Sequence, residues 1–159
     1  MMKWQREVIV PKTAVSHPST CANMMKVGPF LFIAGQVAMF EDRTMVMGYK
    51  DLDEEGRKKL RADENLGAHF REETIAAQTY QIFTNIKRLV EDAGSNMDNL
   101  ILLRILMLDI KQFPVVERIR NMFYTKERMP IITTWEVGAL CPPDALIEIE
   151  VEAFIPGQE

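Results

Sequence analysis

The chain has 159 residues, a length typical of one domain. Its residues are 47% hydrophobic and 26% charged, a composition that excludes a wholly disordered, collagen-like or coiled-coil protein. The 19 lysines and arginines against 23 aspartates and glutamates give a formal net charge of −4. Because binding to phosphate backbones depends on clustered positive charge, nucleic acid is not an expected partner.

Several common kinds of site are also excluded. Two cysteines, Cys21 and Cys141, are too few for a disulfide framework, and two distant histidines, His17 and His69, do not suggest a metal site. Phosphate-binding loops and the common cofactor motifs are absent from the sequence. The N-terminal residues lack the apolar core of a secretory signal, and no segment approaches the ~20 apolar residues of a membrane span. We expect a cytoplasmic protein that works without a metal, cofactor or membrane.

The first part of the chain predicts three strands. The run Arg6–Lys12 is rich in β-branched residues, and Ala22–Val27 and Phe30–Val37 fit two strands joined by a Gly-Pro turn dipeptide. Gly35 near the end of the third run predicts a bulge or a close approach of another group to the backbone.

A charged segment follows, and then the clearest helix. Residues 51–66 carry many charges of mixed sign, which is typical of either a solvated helix or a mobile loop. Beyond them, residues recur every three or four positions along one helical face. The residues of this face are Ile75, Thr79, Ile82, Ile86, Leu89 and Ala93. Gly94 directly after the last of them predicts the end of the helix.

The second half of the chain predicts a strand, a helix and two more strands. Leu100–Leu108 is apolar throughout except for one arginine, and a helix is predicted to begin near Pro114. The inner face of that helix is expected to consist of Val116, Ile119 and Phe123. Ile131–Val137 and Ala145–Ile155 are the last two predicted strands.

The last predicted strand alternates strictly, so its two faces differ in character. One face carries Ile147, Ile149, Val151 and Ala153, and the other carries Glu148, Glu150 and Glu152. The order of elements indicates an α+β fold: a two-layer sandwich in which two helices pack on one face of the sheet.

Arg104 is the charged residue in the apolar run Leu100–Leu108. Because a buried guanidinium is costly without a partner, it must be paired. Two alternatives remain open for that partner. The arginine forms a structural ion pair with a carboxylate or at a subunit interface, or it clamps the carboxylate of a small ligand.

The three glutamates of the last strand are the second anomaly. Like charges on one face of a strand repel each other unless they are solvated or paired. Either this face is exposed to water, or it lines a cavity shared between subunits. In the second case one carboxylate, its pKa raised by its neighbours, can act as a general base or position a water molecule.

Four segments carry a resemblance to a known family. They are Val27–Gln36 (VGPFLFIAGQ), Gln78–Gly94, Leu100–Val116 and Met129–Phe154, and they follow one another in the family's order. Together they resemble the RidA/YjgF family, whose members are also labelled endoribonuclease L-PSP or enamine/imine deaminases. The resemblance implies a chorismate-mutase-like fold with a mixed sheet. It also implies a homotrimer whose sheets form a central barrel, with the ligand pockets between subunits.

The resemblance also implies which residues line the pocket. The glutamate that positions the hydrolytic water is retained as Glu148, the expected catalytic residue. The arginine that binds the substrate carboxylate in active members is replaced by Ile132. The other substrate-binding positions are Cys21 in place of a tyrosine, Ala34 in place of a serine, Gly35, Thr134 at the position of a pocket cysteine or threonine, and Arg104 as a relocated anchor.

The segment Arg43–Leu66 departs from the pattern of shorter family members. We treat residues 1–159 as one domain with a charged insertion at about 43–66. The insertion caps the pocket, extends the subunit interface, or is a solvated excursion.

Two functions remain open at this point. One is a cofactor-free hydrolase or deaminase acting on an imine, an enamine or an aminated acid. The other is a non-catalytic trimer that binds or senses a metabolite and has lost deaminase activity, which the loss of the arginine at Ile132 favours. In both, the partner is a small molecule, with a carboxylate as one candidate group. A ribonuclease is disfavoured by the charge of −4 and by the lack of a basic patch interleaved with aromatic residues.

Overall fold

The computed structural model describes residues 4–12, 21–62 and 73–157. The strands in these ranges are β1 (Arg6–Ile9), β2 (Met24–Val27), β3 (Phe30–Gln36), β4 (Leu100–Met107), β5 (Ile131–Glu136) and β6 (Ile147–Phe154). The α-helices are α1 (Glu54–Ala62), α2 (Thr74–Asp92) and α3 (Phe113–Arg120). Short 3-10 turns lie at Tyr49–Asp51, Met97–Asn99, Ile110–Gln112 and Lys126–Arg128.

The six strands form one mixed sheet. Their order is β1-β2-β3-β6-β4-β5, and every neighbouring pair is antiparallel except β4 and β5, which run parallel. The strand β6, which carries the three glutamates, therefore lies near the middle of the sheet, between β3 and β4. The predicted α+β fold with a mixed sheet is confirmed.

The two faces of the sheet are unlike each other. One face is covered by α2 and α3, and between them lies a core that includes Leu31, Leu103 and Ile149, all fully buried. On the other face none of the described helices covers the strands, and large apolar side chains remain exposed. Ile131 is 67% exposed and Trp135 is 45% exposed. We call this second surface the open face.

The two main helices follow the sequence prediction closely. Every apolar residue predicted for the inner stripe of α2 from Ile75 to Leu89 is buried. Gly94 follows the helix with a φ of +83°, a conformation that a residue with a side chain adopts only with strain. α3 begins at Phe113 with a proline in its first turn, as predicted.

The helix α1 is a third helix among the described residues, where the sequence indicated two on the sheet. It forms in the charged segment 51–66, whose last residues, 63–66, lie outside the described part of the chain. Leu60 and Gly56 of α1 are buried, and a Cβ atom built on Gly56 would lie 2.7 Å from Cε1 of Tyr80 in α2. α1 therefore packs on α2, and the segment is not simply a solvated excursion.

Asp53 begins α1 by accepting a hydrogen bond from the backbone N–H of Gly56 at 2.7 Å. This contact satisfies one of the free N–H groups at the start of the helix. In the described ranges, no helix combines the length and the apolar character needed to cross a bilayer.

Candidate functional site

The site begins where β3 and β6 pair around Gly35. The register of the two strands shifts between Ile33 and Gln36, so the strand is irregular at this point. A Cβ atom built on Gly35 would lie 1.8 Å from Oε1 of Glu148. The carboxylate of Glu148 thus rests against bare backbone, and the close approach predicted at Gly35 is confirmed.

Backbone and amide contacts hold this stretch of β3 in place. The backbone N–H of Ala34 donates to the carbonyl of Asn23 at 2.9 Å, and the side-chain amide of Gln36 donates to the carbonyl of Ala34 at 2.8 Å. Ala34 and Gly35, two of the predicted pocket residues, therefore lie in a fixed backbone segment beside Glu148.

Glu148 has the electrostatic properties of a proton-transfer group. Its partial burial raises the pKa of its carboxyl above the ordinary value, and the negative charge of Glu150 raises this pKa further. No residue in the described part of the chain forms a hydrogen bond or ion pair with its carboxylate. Such a carboxylate is available to bind water and to take up a proton.

Arg104 is paired with two glutamates of its own chain. Its Nη2 lies 2.5 Å from Oε1 of Glu152, and its Nη1 lies 3.6 Å from Oε2 of Glu150. The ion pair, the first of the two alternatives considered for Arg104, is therefore present. The expectation of a buried guanidinium is corrected: the side chain is 35% exposed, because it projects onto the open face.

The strand register divides the remaining predicted residues between the two faces. Ile132 lies opposite Leu103, and Thr134 lies opposite the buried Ile105. Both side chains are therefore on the helix-covered face, and Ile132 packs against the core. Glu148 projects from the open face, so one chain does not bring Ile132 and Thr134 together with the catalytic candidate.

Two residues of β5 that the sequence reasoning did not select lie on the same face as Glu148. Thr133 is the register partner of Arg104, and Trp135 is the partner of Leu106, which also pairs with Glu148. The sequence alone could have indicated both residues. Residues adjacent in a strand point to opposite faces, so the neighbours of Thr134 must face the other side of the sheet from Thr134.

The remaining candidates lie at or beyond the edges of the described ranges. Cys21 is exposed and lies two residues before Asn23, whose carbonyl binds Ala34, so it is near the same end of β3. His17 and His69 lie outside the described residues. Among the residues that are described, no three His, Cys, Asp or Glu side chains form a group that could hold a metal ion.

Gln78 is a buried polar residue that the sequence reasoning missed. Its side-chain amide donates to the carbonyls of Val46 at 3.0 Å and Asp144 at 2.8 Å, and its carbonyl accepts from the N–H of Leu146 at 2.8 Å. Leu146 precedes Glu148 by two residues, so Gln78 fixes the chain where it enters β6. The signal in the sequence is a glutamine directly beside the apolar stripe of α2.

Comparisons with known proteins agree on one family. The family model described as Endoribonuclease L-PSP matches residues 16–155. A RutC family protein of Pyrococcus abyssi is 25% identical over 149 residues, covering 94% of this chain and 97% of its own. A protein of Acinetobacter baylyi named 3-aminoacrylate deaminase RutC is 31% identical over 80 residues, covering 50% of this chain and 62% of its own.

A solved structure from the Rid family has a similar fold. The crystal structure of YyfA from Yersinia pestis, a protein of unknown function in the conserved Rid family, superposes with a TM-score of 0.73 at 24% identity. The superposition covers 95% of this chain and 100% of that one. The irregular Gly35 segment, the glutamate strand at the centre of the sheet and the matches along the chain lead to one assignment: this chain belongs to the endoribonuclease L-PSP family, also called RidA/YjgF.

Proposed function

We propose that this chain is a cofactor-free deaminase that hydrolyses imines or enamines, with Glu148 as its general base. The observation that supports this most directly is the carboxylate of Glu148, partly buried against the backbone of Gly35 and free of protein partners among the described residues. A raised pKa suits a group that must take up and return a proton in one cycle.

The proposed reaction uses one water molecule. Glu148 accepts a proton from the water molecule while the oxygen of that water forms a bond to the imine carbon. The protonated Glu148 then returns that proton to the nitrogen, which gives a carbinolamine. The carboxylate next transfers the hydroxyl proton to the nitrogen, the carbon–nitrogen bond breaks, and a carbonyl compound and ammonia leave. The atoms balance without an oxidant or a metal, because an imine and water contain all the atoms of the two products.

We further propose that the pocket is completed by neighbouring copies in a homotrimer whose sheets enclose a central barrel. Ile132 and Thr134 lie on the opposite side of the sheet from Glu148 within one chain, so a pocket containing all three needs a second copy. Exposed Ile131 and Trp135 on the open face provide apolar area for such contacts. The insertion helix α1 packs on α2, the helix that covers the face of the sheet opposite Glu148.

The relatives add weight to a deaminase. One is named 3-aminoacrylate deaminase, although the match spans half of this chain. The decisive experiment follows ammonia release from imines that an oxidase generates in situ. We expect the wild type to accelerate release above the spontaneous rate, and Glu148→Gln to reduce that acceleration by about 100-fold or more.

A matched control separates the loss of the base from a general loss of charge. Glu91→Gln makes the same change at an exposed position of α2 and should leave the rate unchanged. Full activity in Glu148→Gln would contradict the proposed role of this residue.

The second candidate function is a non-catalytic metabolite-binding or regulatory trimer. It is favoured by the isoleucine at position 132, where active relatives are expected to carry the arginine that binds the substrate. A binder would show ligand-dependent thermal stabilisation with no acceleration of ammonia release from any imine.

A further inference from the structure

The guanidinium of Arg104 already forms ion pairs with carboxylates of its own chain. Its contacts with Glu152 at 2.5 Å and Glu150 at 3.6 Å engage both terminal nitrogens. A ligand carboxylate at this arginine would have to displace glutamates that are covalently held in the same strand pair. Arg104 therefore does not replace the arginine that is absent from position 132. Ile132, which stands there instead, packs against the core on the other face of the sheet.

The open face around Glu148 is negative overall. Three carboxylates, Glu148, Glu150 and Glu152, face one guanidinium there, so the acidic groups outnumber the basic one by two. The other cation that the strands of the described sheet place on this face is Arg6. Arg6 pairs with Val27 of β2, Val27 pairs with Phe30 of β3, and Phe30 pairs with Phe154 of β6. Phe154 lies six residues, or about 20 Å, from Glu148 along β6.

From this charge distribution we propose that the substrates are imines without a carboxylate, of the kind formed by oxidation of amines. The inference rests on the proposed deaminase function and concerns the substrate class of that same site. A protonated imine carries a positive charge, which the glutamates of β6 attract. A 2-imino acid also carries a carboxylate, which the same glutamates repel and for which no free arginine is present in the described part of the site.

The proposed chemistry suits a positively charged substrate. Protonation of the nitrogen makes the imine carbon more electrophilic, and the nearby carboxylates stabilise that protonated form. Water adds to the carbon as Glu148 accepts one of its protons, which gives a neutral carbinolamine, and Glu148 then returns this proton to the nitrogen. The carbon–nitrogen bond breaks, the hydroxyl becomes the carbonyl of an aldehyde, and its proton leaves with the ammonia. The positive charge ends on ammonium, so proton and charge balance are kept.

The first test compares two imines that differ only in the carboxylate. An amine oxidase acting on 3-methylbutylamine supplies one, and an amino-acid oxidase acting on leucine supplies the other. We expect the acceleration of ammonia release to be about tenfold or more greater for the amine-derived imine. Equal acceleration of both, or preference for the leucine-derived imine, would overturn the proposal.

The second test changes the charge without removing the base. Glu152→Gln releases Arg104 from its shortest ion pair and should move the preference toward the leucine-derived imine, whereas Arg104→Gln should move it further toward the amine-derived imine. Glu91→Gln, on the exposed side of α2, should change neither rate. If neither Glu152→Gln nor Arg104→Gln changed the preference between the two imines, the proposal that charge selects the substrate would be overturned.

A third measurement does not depend on turnover. The carboxyl carbon of Glu148 is followed by NMR during pH titration with n-butylammonium or with butyrate. We expect n-butylammonium to lower the pKa of Glu148 and butyrate to have no effect; binding of butyrate alone would overturn the proposal. If n-butylammonium binds and no imine is turned over, the deaminase function fails while the charge preference stands.

Discussion

The contact between Glu148 and Gly35 depends on the absence of one methyl group. Since the missing Cβ position lies 1.8 Å from the carboxylate oxygen, no substitution at Gly35 can leave Glu148 where it is. The close approach was predictable, because a glycine interrupting a strand pattern signals it. That the approaching group is Glu148 was not predictable, because it depends on the pairing of β3 with β6, residues far apart in the chain.

Gly35→Ala should displace the Glu148 side chain and uncouple it from the substrate. We expect ammonia release to fall by about 100-fold, the order of loss caused by a misplaced catalytic group, with a destabilisation of about 1–3 kcal/mol from overpacking. Gly138→Ala is the control, since a Cβ there meets nothing within 4 Å. Steady-state kinetics and urea unfolding report the two effects, and an active Gly35→Ala enzyme would refute this geometry.

The raised pKa of Glu148 also predicts a dependence of stability on pH. The folded state holds the Glu148 proton more tightly than the unfolded state, whose pKa is near the ordinary 4.5. The native state is therefore favoured fully below that value and loses stability as the pH rises through the raised pKa.

Glu148→Gln removes both the burial cost of the charge and its repulsion from Glu150. We expect this variant to be more stable than the wild type at pH 8, by about 0.2–1 kcal/mol, and to lose the advantage near pH 4. Chemical unfolding at a series of pH values measures the difference. A stability difference that stays constant with pH would show that Glu148 titrates normally in the folded protein.

The charged insertion illustrates why a sequence pattern can leave two interpretations of one segment open. The charges of residues 51–66 fit both a helix and a loop, and the pattern does not say what the few apolar residues contact. The structure resolves this through Leu60, which is fully buried, and through Gly56, which sits against Tyr80 of α2. Packing between distant segments decides the outcome, and no local signal encodes it.

The entry into β6 depends on α2 through Gln78. Gln78→Met keeps the volume but leaves the N–H of Leu146 and two backbone carbonyls without their partners. We expect a loss of about 3 kcal/mol in the free energy of unfolding, measured by urea titration. Thr84→Val in the same helix removes one hydroxyl bound within the helix and should cost about 1 kcal/mol or less. Equal effects of the two substitutions would contradict the role given to Gln78.

The trimer that we propose would form through the open face. The alternation in β6 revealed in advance that this face is distinct, with glutamates opposite a fully apolar side. It could not reveal that β6 lies between β3 and β4, since strand pairing is non-local. Because β6 lies beside β4, Arg104 is the register partner of Glu150. The sequence pattern does not show which of the three glutamates takes this place, because all three alternate in the same way.

Ile131→Glu tests the assembly. We expect the wild type to have the mass of three chains by light scattering and Ile131→Glu to have that of one, because a desolvated carboxylate at the interface is costly. Met47→Glu, at an exposed apolar residue of the insertion, should remain trimeric. A wild-type protein that is monomeric at working concentration would contradict the proposed barrel.

The central strand of the sheet is also the last of the six in chain order, and this arrangement governs how the molecule folds. Phe30 of β3 pairs with Phe154 of β6, so the hydrogen bonds that join the two halves of the sheet close a very long loop. Contacts of this kind form slowly, because the entropy of the loop is lost before the pairing stabilises it. Until β6 inserts, β3 and β4 each present an unpaired edge. A chain in which β6 is not yet paired therefore exposes two unpaired strand edges at once, and the pairing of β6 that covers them also brings Glu148 against Gly35.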